Sequence, residues 1–177
     1  MIVRNHIIYV IGFMGSGKTT IGRELALRLN WLFIDLDKKI EEYTKKTISE
    51  IFSQNGEEYF REIESNVLKS LSSVNKTIIS TGGGTPCHDE NMKLMLSTGL
   101  TVYLKLTPDE LETRLSESRG GRPLIMDLDK ENLRTFIEKK LTDREKWYEL
   151  SEIIIGGINT DVDQIVHLVR FKLNICP

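Results

Sequence analysis

The chain has 177 residues, the length of one ordinary globular domain. Its residues are 40% hydrophobic, 28% charged and 7% aromatic, which is typical of a protein with a packed core. Because 24 Lys and Arg are balanced by 26 Asp and Glu, the chain has no overall positive field, and any anion site must be local. We therefore expect neither a nucleic-acid nor a membrane partner.

The ends and the cysteines of the chain indicate its compartment. The first apolar stretch, Ile7–Ile11, is far shorter than the roughly 20 residues that span a bilayer. It runs directly into a glycine-rich loop that the cleavage of a signal peptide would destroy. Cys87 and Cys176 have no metal-ligand spacing and form no disulfide framework. We expect a cytoplasmic protein that acts as a monomer.

The order of apolar runs predicts the fold class. Most runs are continuous rather than alternating, as expected for strands buried on both faces. Amphipathic helical stretches lie between them, including Thr19 to Leu29, a helix start at Thr107-Pro108-Asp109-Glu110, and a final helix from Asp161 to about Leu173. This alternation predicts an α/β fold with a parallel sheet between two helical layers. The predicted strands are Ile7–Ile11, Trp31–Ile34, Thr77–Ser80, Thr101–Leu106 and Glu152–Ile155.

Two stretches do not fit the simple alternation of strands and crossover helices. Residues 35–69 are polar and helical with Phe52 and Phe60 embedded, and residues 116–129 contain the basic sequence Arg119-Gly120-Gly121-Arg122-Pro123. Additions to a rigid sheet usually carry binding and closure. We therefore predict one domain, residues 1–177, with a substrate-binding segment at about 35–65 and a lid at about 113–126.

The segment Gly12-Phe13-Met14-Gly15-Ser16-Gly17-Lys18-Thr19 matches the phosphate-loop pattern. The flanking strand and helix fit that interpretation, and a chance glycine-rich turn is the alternative. Glycines let backbone N–H groups wrap a polyphosphate at a helix start, while Lys18 would bridge the β- and γ-phosphates and Thr19 would bind Mg²⁺. The expected ATP contacts here are Gly15, Ser16, Gly17, Lys18, Thr19 and Thr20.

Carboxylates follow the second predicted strand, at Asp35 and Asp37. Parallel sheets bind ligands beyond the carboxyl ends of their strands, and alternate residues of an extended chain point the same way. This predicts one acid near the metal and one near an acceptor hydroxyl. The alternative is a solvated turn in which one Asp caps a helix from Lys38 to Tyr43.

Arginines and glycines supply the remaining candidates. Arg61 precedes Glu64 by three residues, and Arg144 shares a helix face with Tyr148. A pair of guanidinium groups suits a planar carboxylate, although each Arg alone is more often a surface ion pair. Residues 82–84 are glycines at the end of the third strand, where they provide either flexibility or close backbone approach to a ligand. The same strand ends at Ser80 rather than at an acid, which indicates a metal contact through water.

The ordered set of motifs resembles the shikimate kinase family, and the resemblance covers nearly the whole chain. The matching segments are Gly-Phe-Met-Gly-Ser-Gly-Lys-Thr at 12–19, Asp-Leu-Asp at 35–37, Ile-Phe at 51–52, Gly-Glu-Glu-Tyr-Phe-Arg-Glu-Ile-Glu at 56–64, Ser-Thr-Gly-Gly-Gly at 80–84, Gly-Arg-Pro-Leu at 121–124 and Arg-x-x-Trp-Tyr at 144–148. The resemblance implies a nucleoside-monophosphate-kinase-like P-loop fold with strand order 2-3-1-4-5. It also implies ATP and Mg²⁺ as cofactors and phosphorylation of the 3-hydroxyl of shikimate.

The resemblance also implies roles for individual residues. Lys18 and Arg122 would stabilise the transferring phosphoryl group, with Asp37 as the base or orienting group of the acceptor hydroxyl. Thr19 would bind Mg²⁺ directly, and Asp35 and Ser80 through water. Arg114 would stack on adenine, whereas residues 156–163 lack the Arg and Pro that the family often carries there. The expected shikimate contacts are Asp37, Arg61, Gly82, Gly83, Gly84 and Arg144, with Phe52 and Phe60 as walls.

Other functions share the phosphate loop. A kinase of gluconate or another small hydroxyl compound would lack the combination of Asp37, Arg61, the glycine run and Arg144. A nucleotide-binding regulator that had lost phosphoryl transfer would not need Lys18, Asp37 and Arg122 together. We therefore expect the phosphate loop, both arginines and Asp37 to open onto one cleft.

Overall fold

Parallel strands form the centre of the computed structural model, which describes residues 6–88, 90–117 and 130–175. Every strand pairs with its neighbours in parallel, in the order β2-β3-β1-β4-β5. The predicted fold class and the strand order implied by the resemblance are both confirmed. The strands are β1 Ile7–Ile11, β2 Leu32–Asp35, β3 Thr77–Ser80, β4 Leu100–Lys105 and β5 Ile153–Gly156.

Helices cover both faces of this sheet, so that β1 is buried on each side. Ile7, Tyr9 and Ile11 face a core built with α2 to α6, while Ile8 and Val10 face a second core built with α1 and α7. Side chains alternate between faces along a strand, and both sets in β1 are therefore apolar. The helices are α1 Lys18–Leu29, α2 Leu36–Thr44, α3 Ile48–Ser70, α4 Asn91–Thr98, α5 Pro108–Glu117, α6 Lys130–Tyr148 and α7 Val162–Leu173.

Strand boundaries differ from the predictions by one residue in β2, β4 and β5. Trp31 donates its N–H to the carbonyl of Ala26, and pairing with the neighbouring strand begins only at Leu32. The shifts arise because backbone pairing rather than side-chain polarity sets the strand ends: Asp35 and Gly156 are paired although neither is apolar, whereas the apolar Leu106 lies beyond β4. The predicted helix start at Thr107 is confirmed, since Glu110 accepts the Thr107 N–H at 2.8 Å and donates its own N–H to the Thr107 hydroxyl at 3.3 Å.

Helix α3 is kinked within the predicted substrate-binding segment. Gly56 has φ of 83° and ψ of 174°, which divides α3 into two helical segments. A methyl group at Gly56 would meet nothing within 4 Å, so the positive φ rather than space requires glycine here. The first segment begins with a capping box between Thr47 and Glu50.

Part of the predicted lid belongs to α5. Residues 113–117 form the end of that helix, whereas most of the lid, with Arg119 and Arg122, lies outside the described residues. Within the ranges that the structure describes, none of the helices is both long and apolar enough to cross a membrane.

Gly99 fixes the approach of the α4–β4 connection to β1, and we predict that Gly99→Ala lowers stability. The added methyl group would lie 2.6 Å from the Ile7 carbonyl oxygen and 2.9 Å from the Tyr9 ring. We expect the free energy of unfolding in urea to fall by about 1–3 kcal/mol. Gly156→Ala is the matched control because its nearest atom is 4.0 Å away, and its change should stay within about 0.5 kcal/mol. Equal losses in both variants would contradict this packing argument.

Candidate functional site

A cleft of about 660 Å³ lies where several parallel strands end. This edge is where open α/β sheets bind ligands. Phosphate-loop residues form one side, and residues after β2, β3 and β5 form the others. The lining residues are Met14, Gly15, Ser16, Gly17, Lys18, Thr19, Thr20, Ile21, Asp35, Asp37, Ser80, Thr81, Gly82, Gly83, Arg114, Glu117, Ile158, Asn159 and Thr160.

The phosphate loop is shaped to hold an anion. Gly15 and Gly17 have φ of 80° and 93°, and Gly17 caps the N-terminus of α1, where the helix dipole favours negative charge. Lys18 is buried and donates from Nζ to the Phe13 carbonyl oxygen at 2.8 Å. The buried Ser16 hydroxyl has no hydrogen-bond partner among the described atoms. An unsatisfied buried hydroxyl in this loop fits a phosphate oxygen as its partner.

Thr19, Asp35 and Ser80 meet beside the phosphate loop. The Thr19 hydroxyl donates to Asp35 Oδ2 at 2.9 Å and lies 3.4 Å from Ser80 Oγ. Since the Thr19 proton is directed at Asp35, the oxygen lone pairs of Thr19 remain for a cation. Among the described residues, no group of three or more His, Cys, Asp or Glu is placed to hold a metal. A hard cation here would depend on hydroxyls, Asp35, water and nucleotide phosphates, as Mg²⁺ sites often do.

The two acids after β2 reach the cleft in a different way from the one predicted. Asp35 caps α2 by accepting the Lys38 N–H, so it is both a capping residue and a cleft residue. Asp37 lies in the first turn of α2, not in extended chain. The argument from alternating extended residues was therefore wrong, although both side chains line the same cleft. The helix begins two residues before the predicted Lys38, which changes the direction of Asp37.

The Asp37 carboxyl has a raised pKa. Its side chain borders the open cleft, but surrounding protein still removes enough water to favour the neutral form. Although Asp37 is exposed to the cleft, this loss of surrounding water, with the negative charges of Glu64 and Asp35, raises the pKa of Asp37 to about 6, while Lys18 and Arg61 oppose the shift. A carboxyl with a pKa near neutrality is a suitable acceptor for a hydroxyl proton.

Arg61 is held by a buried carboxylate. Its Nη1 donates to Glu64 Oε2 at 2.8 Å, the pairing that their spacing predicted, and the Glu64 side chain is 0% exposed. Thr85 donates its hydroxyl to the other Glu64 oxygen at 2.5 Å. Thr85 was not predicted as a site residue, because a single Thr after the glycine run has no spacing that marks it as a partner of Glu64. A methyl group at Gly84 would lie 2.6 Å from Arg61 Nη2.

Arg144 is placed by its neighbours on α6 and on the phosphate loop. Its guanidinium lies over the Phe13 ring, 5.6 Å from the centroid. Tyr148 donates its hydroxyl to the Gly83 carbonyl oxygen at 2.5 Å, and burial raises the pKa of Tyr148 so that it stays a donor. A methyl group at Gly83 would lie 3.5 Å from Arg144 Nη1. The shared face of Arg144 and Tyr148 therefore contacts the glycine run.

The glycine run at residues 82–84 lies between Asp37, which lines the cleft, and the two arginines, Arg61 and Arg144. A methyl group at Gly82 would lie 3.2 Å from Asp37 Oδ1, so Asp37, Arg61 and Arg144 all approach residues 82–84. Gly82, Gly83 and Asp37 line the cleft, whereas Arg61 and Arg144 lie against the glycines without lining it. The rings of the predicted wall residues Phe52 and Phe60 pack in a tilted arrangement with centroids 4.6 Å apart, and the Arg61 guanidinium lies 5.1 Å from the Phe60 centroid.

Arg114 connects the phosphate loop to the segment after β5. Its Nη1 donates to the Ser16 carbonyl oxygen at 3.2 Å, and its Nη2 donates to the Ile158 carbonyl oxygen at 2.7 Å. Glu110, one turn earlier on α5, accepts the Ile158 N–H at 3.1 Å. The resemblance implied an adenine-binding loop at residues 156–163 without naming contacts in it, and the structure brings residues 158–160, together with Glu117, to this cleft.

The raised pKa of Asp37 predicts how Asp37→Asn changes stability with pH. Below the ordinary pKa of an Asp, near 4, the carboxyl is neutral whether the chain is folded or unfolded. As pH rises from about 4 to about 6, folding increasingly opposes ionisation, so wild-type stability is lost across that window. We expect Asp37→Asn to melt at a higher temperature than wild type at pH 7.5, with the difference closing toward pH 4.5.

Melting temperatures measured by circular dichroism across pH 4.5–8 test this prediction. Asp143→Asn is the matched control because Asp143 is exposed on α6. The control should follow wild type at every pH. A constant difference between Asp37→Asn and wild type would show that the carboxyl charge is not the cause.

Comparisons with known proteins agree on one family. The family model described as shikimate kinase matches residues 14–171. A shikimate kinase of Azobacteroides pseudotrichonymphae is 46% identical over 167 residues, covering 94% of this chain and 98% of the relative. The crystal structure of a shikimate kinase from Bacteroides thetaiotaomicron has a TM-score of 0.88 at 37% identity, covering 96% of this chain and 99% of that one. The structure of an Acinetobacter baumannii shikimate kinase in complex with shikimate has a TM-score of 0.84 at 31% identity, covering 97% and 95%.

Proposed function

This chain belongs to the shikimate kinase family, and from that premise we propose that it transfers the γ-phosphoryl group of ATP to the 3-hydroxyl of shikimate. The products are 3-phosphoshikimate and ADP, a step of chorismate and aromatic amino acid biosynthesis. The observation that carries the proposal is the meeting of Asp37, Arg61 and Arg144 at the glycine run beside the phosphate loop.

The phosphate loop holds the nucleotide in this proposal. Backbone N–H groups of Gly15 to Thr20 and the Ser16 hydroxyl surround the phosphates, and Lys18 turns from the Phe13 carbonyl toward the β- and γ-phosphates. Arg114 lies on the base side, where it borders the cleft between Ser16 and Ile158. Mg²⁺ would be held by Thr19 directly and by Asp35 and Ser80 through water, and when bound it neutralises phosphate charge.

The acceptor lies between the phosphate loop and the arginines. Arg61 and Arg144 bind its carboxylate, because a guanidinium presents two N–H donors at carboxylate spacing. Asp37 accepts a hydrogen bond from the 3-hydroxyl and orients its oxygen toward the phosphorus atom. The backbone of Gly82, Gly83 and Gly84 approaches the ring, and the tilted, packed rings of Phe52 and Phe60 close the apolar side.

Transfer then depends mainly on position and charge. The acceptor oxygen attacks the γ-phosphorus in line as the bond to the β-phosphate oxygen breaks, and the hydroxyl proton passes to Asp37. Lys18 stabilises the charge that develops on the transferred group, and Arg122 remains a prediction for the same role. One domain over residues 1–177, with a substrate-binding segment at about 35–65 and a lid at about 113–126 that excludes water, completes the proposed organisation.

The proposed setting is a monomer in the cytoplasm with no nucleic-acid or membrane partner. Cys87 is a free thiol, which suits a reducing compartment. The formal net charge of −2 supports the view that the positive groups serve a local site rather than a polyanion surface.

Release of ADP with Mg-ATP and different acceptors tests the proposal. Shikimate, quinate, gluconate and nucleoside monophosphates are compared at equal concentration, and shikimate should give the highest kcat/KM. Arg61→Ala should raise KM for shikimate by about tenfold to a hundredfold, the loss of one charge-assisted hydrogen-bond pair, with KM for ATP nearly unchanged. The proposal fails if ADP release does not rise when shikimate is added.

The pKa of Asp37 predicts the pH dependence of catalysis. Asp37 accepts a proton only when ionised, so kcat/KM for shikimate should be constant above about pH 7 and fall by about tenfold per unit below about pH 6. His88, which also lies near Arg61, could titrate in this range. The profile is therefore repeated with His88→Gln, which should keep the same inflexion. A profile that is flat from pH 5 to 8 would remove Asp37 from the proton-accepting role.

A further inference from the structure

The guanidinium of Arg61 contacts two carboxylates on opposite sides. Glu64 Oε2 lies 2.8 Å from Nη1, and Glu57 Oε1 lies 3.3 Å from Nε and 3.0 Å from Nη2. Nε and Nη2 together form one of the two-donor edges with which a guanidinium binds a carboxylate. Glu57 therefore occupies an edge that an acceptor carboxylate would use.

The two carboxylates differ in how easily they can be replaced. The side chain of Glu64 is 0% exposed and also accepts the Thr85 hydroxyl, so it cannot leave Arg61 without leaving a buried charge unpaired. The side chain of Glu57 is 62% exposed and meets Arg61 at the protein surface. An ion pair with one exposed partner is weaker than a fully buried pair, so an incoming carboxylate can displace Glu57 but not Glu64.

The local structure places Glu57 for such an exchange. It follows the Gly56 kink and opens the second segment of α3, where the helix N-terminus stabilises its negative charge. The hydrogen bond from Arg61 lowers the pKa of Glu57, so this side chain is an anion at neutral pH. The positive charge of Lys140 also attracts the Glu57 carboxylate.

We infer that Glu57 is a specificity-determining residue that competes with the carboxylate of the acceptor for the Nε–Nη2 edge of Arg61. The inference rests on the proposed function. While the site holds no acceptor, Glu57 keeps Arg61 paired. The Arg61 side chain is only 14% exposed, so it is largely buried. An acceptor with a carboxylate replaces one anion by another, whereas an uncharged acceptor has no group that can take the edge. Glu57 thus lowers the affinity for every acceptor that must displace it.

Glu57→Gln tests this competition, since it keeps the shape of the side chain but removes the charge. We expect KM and the calorimetric Kd for shikimate to fall by about two- to fivefold, the range for one exposed ion pair, with KM for ATP unchanged. With the methyl ester of shikimate, which lacks the negative charge, KM should be the same in the variant and in wild type. Glu58→Gln is the matched control, because Glu58 is an exposed neighbour with the same charge.

The direction in which KM for shikimate changes in Glu57→Gln shows whether Glu57 competes with the acceptor carboxylate or holds Arg61 in place for it. If Glu57 instead holds Arg61 in place for the acceptor, Glu57→Gln raises KM for shikimate, and the inference is overturned. An unchanged KM, or an equal fall with Glu58→Gln, also overturns it. Wild type is assayed alongside, so a failure of the proposed function appears as absent shikimate-dependent ADP release and is not confused with these outcomes.

Discussion

The lack of side chains at residues 82–84 lets charged groups from three helices pack against one stretch of backbone. A methyl group at Gly84 would lie 2.6 Å from Arg61 of α3, one at Gly82 would lie 3.2 Å from Asp37 of α2, and one at Gly83 would be in ordinary contact with Arg144 of α6 at 3.5 Å. Any side chain at Gly84 would take the space of the Arg61 guanidinium. The site is therefore built around an absence of side chains at the end of β3, where a parallel sheet already places its ligand edge.

Charges near this backbone depend on one another. Glu64 is fully buried, and Arg61 and Thr85 both donate hydrogen bonds to its carboxylate in place of water. Its negative charge helps to raise the pKa of Asp37, while the positive charges of Arg61 and Lys18 limit the rise. The residue that orients the arginine thus also tunes the acid in the cleft. Such coupling is a property of the assembled site and not of any pair taken alone.

Several elements could be predicted from the sequence because the residues that define each of them are close together in the chain. The apolar run of β1, the glycines and Lys18 of the phosphate loop, and the cap at Thr107 each depend on residues within a few positions of one another. Asp37 was correctly expected at the cleft but for the wrong reason, because a helix starts earlier than the pattern suggested. A helix start that depends on one Asp cap leaves little trace in the periodicity of the flanking residues.

The fold class, the phosphate loop and the family could be predicted without a structure, because strand periodicity and motif order depend only on the order of residues along the chain. The tertiary structure alone shows which groups surround Arg61: Glu57 and Glu64 both accept hydrogen bonds from it, and Thr85 donates to Glu64. It likewise brought Ile158 to the nucleotide side of the cleft, more than a hundred residues from the phosphate loop. Such contacts are fixed by how strands and helices pack, and packing between distant segments has no pattern in a single sequence.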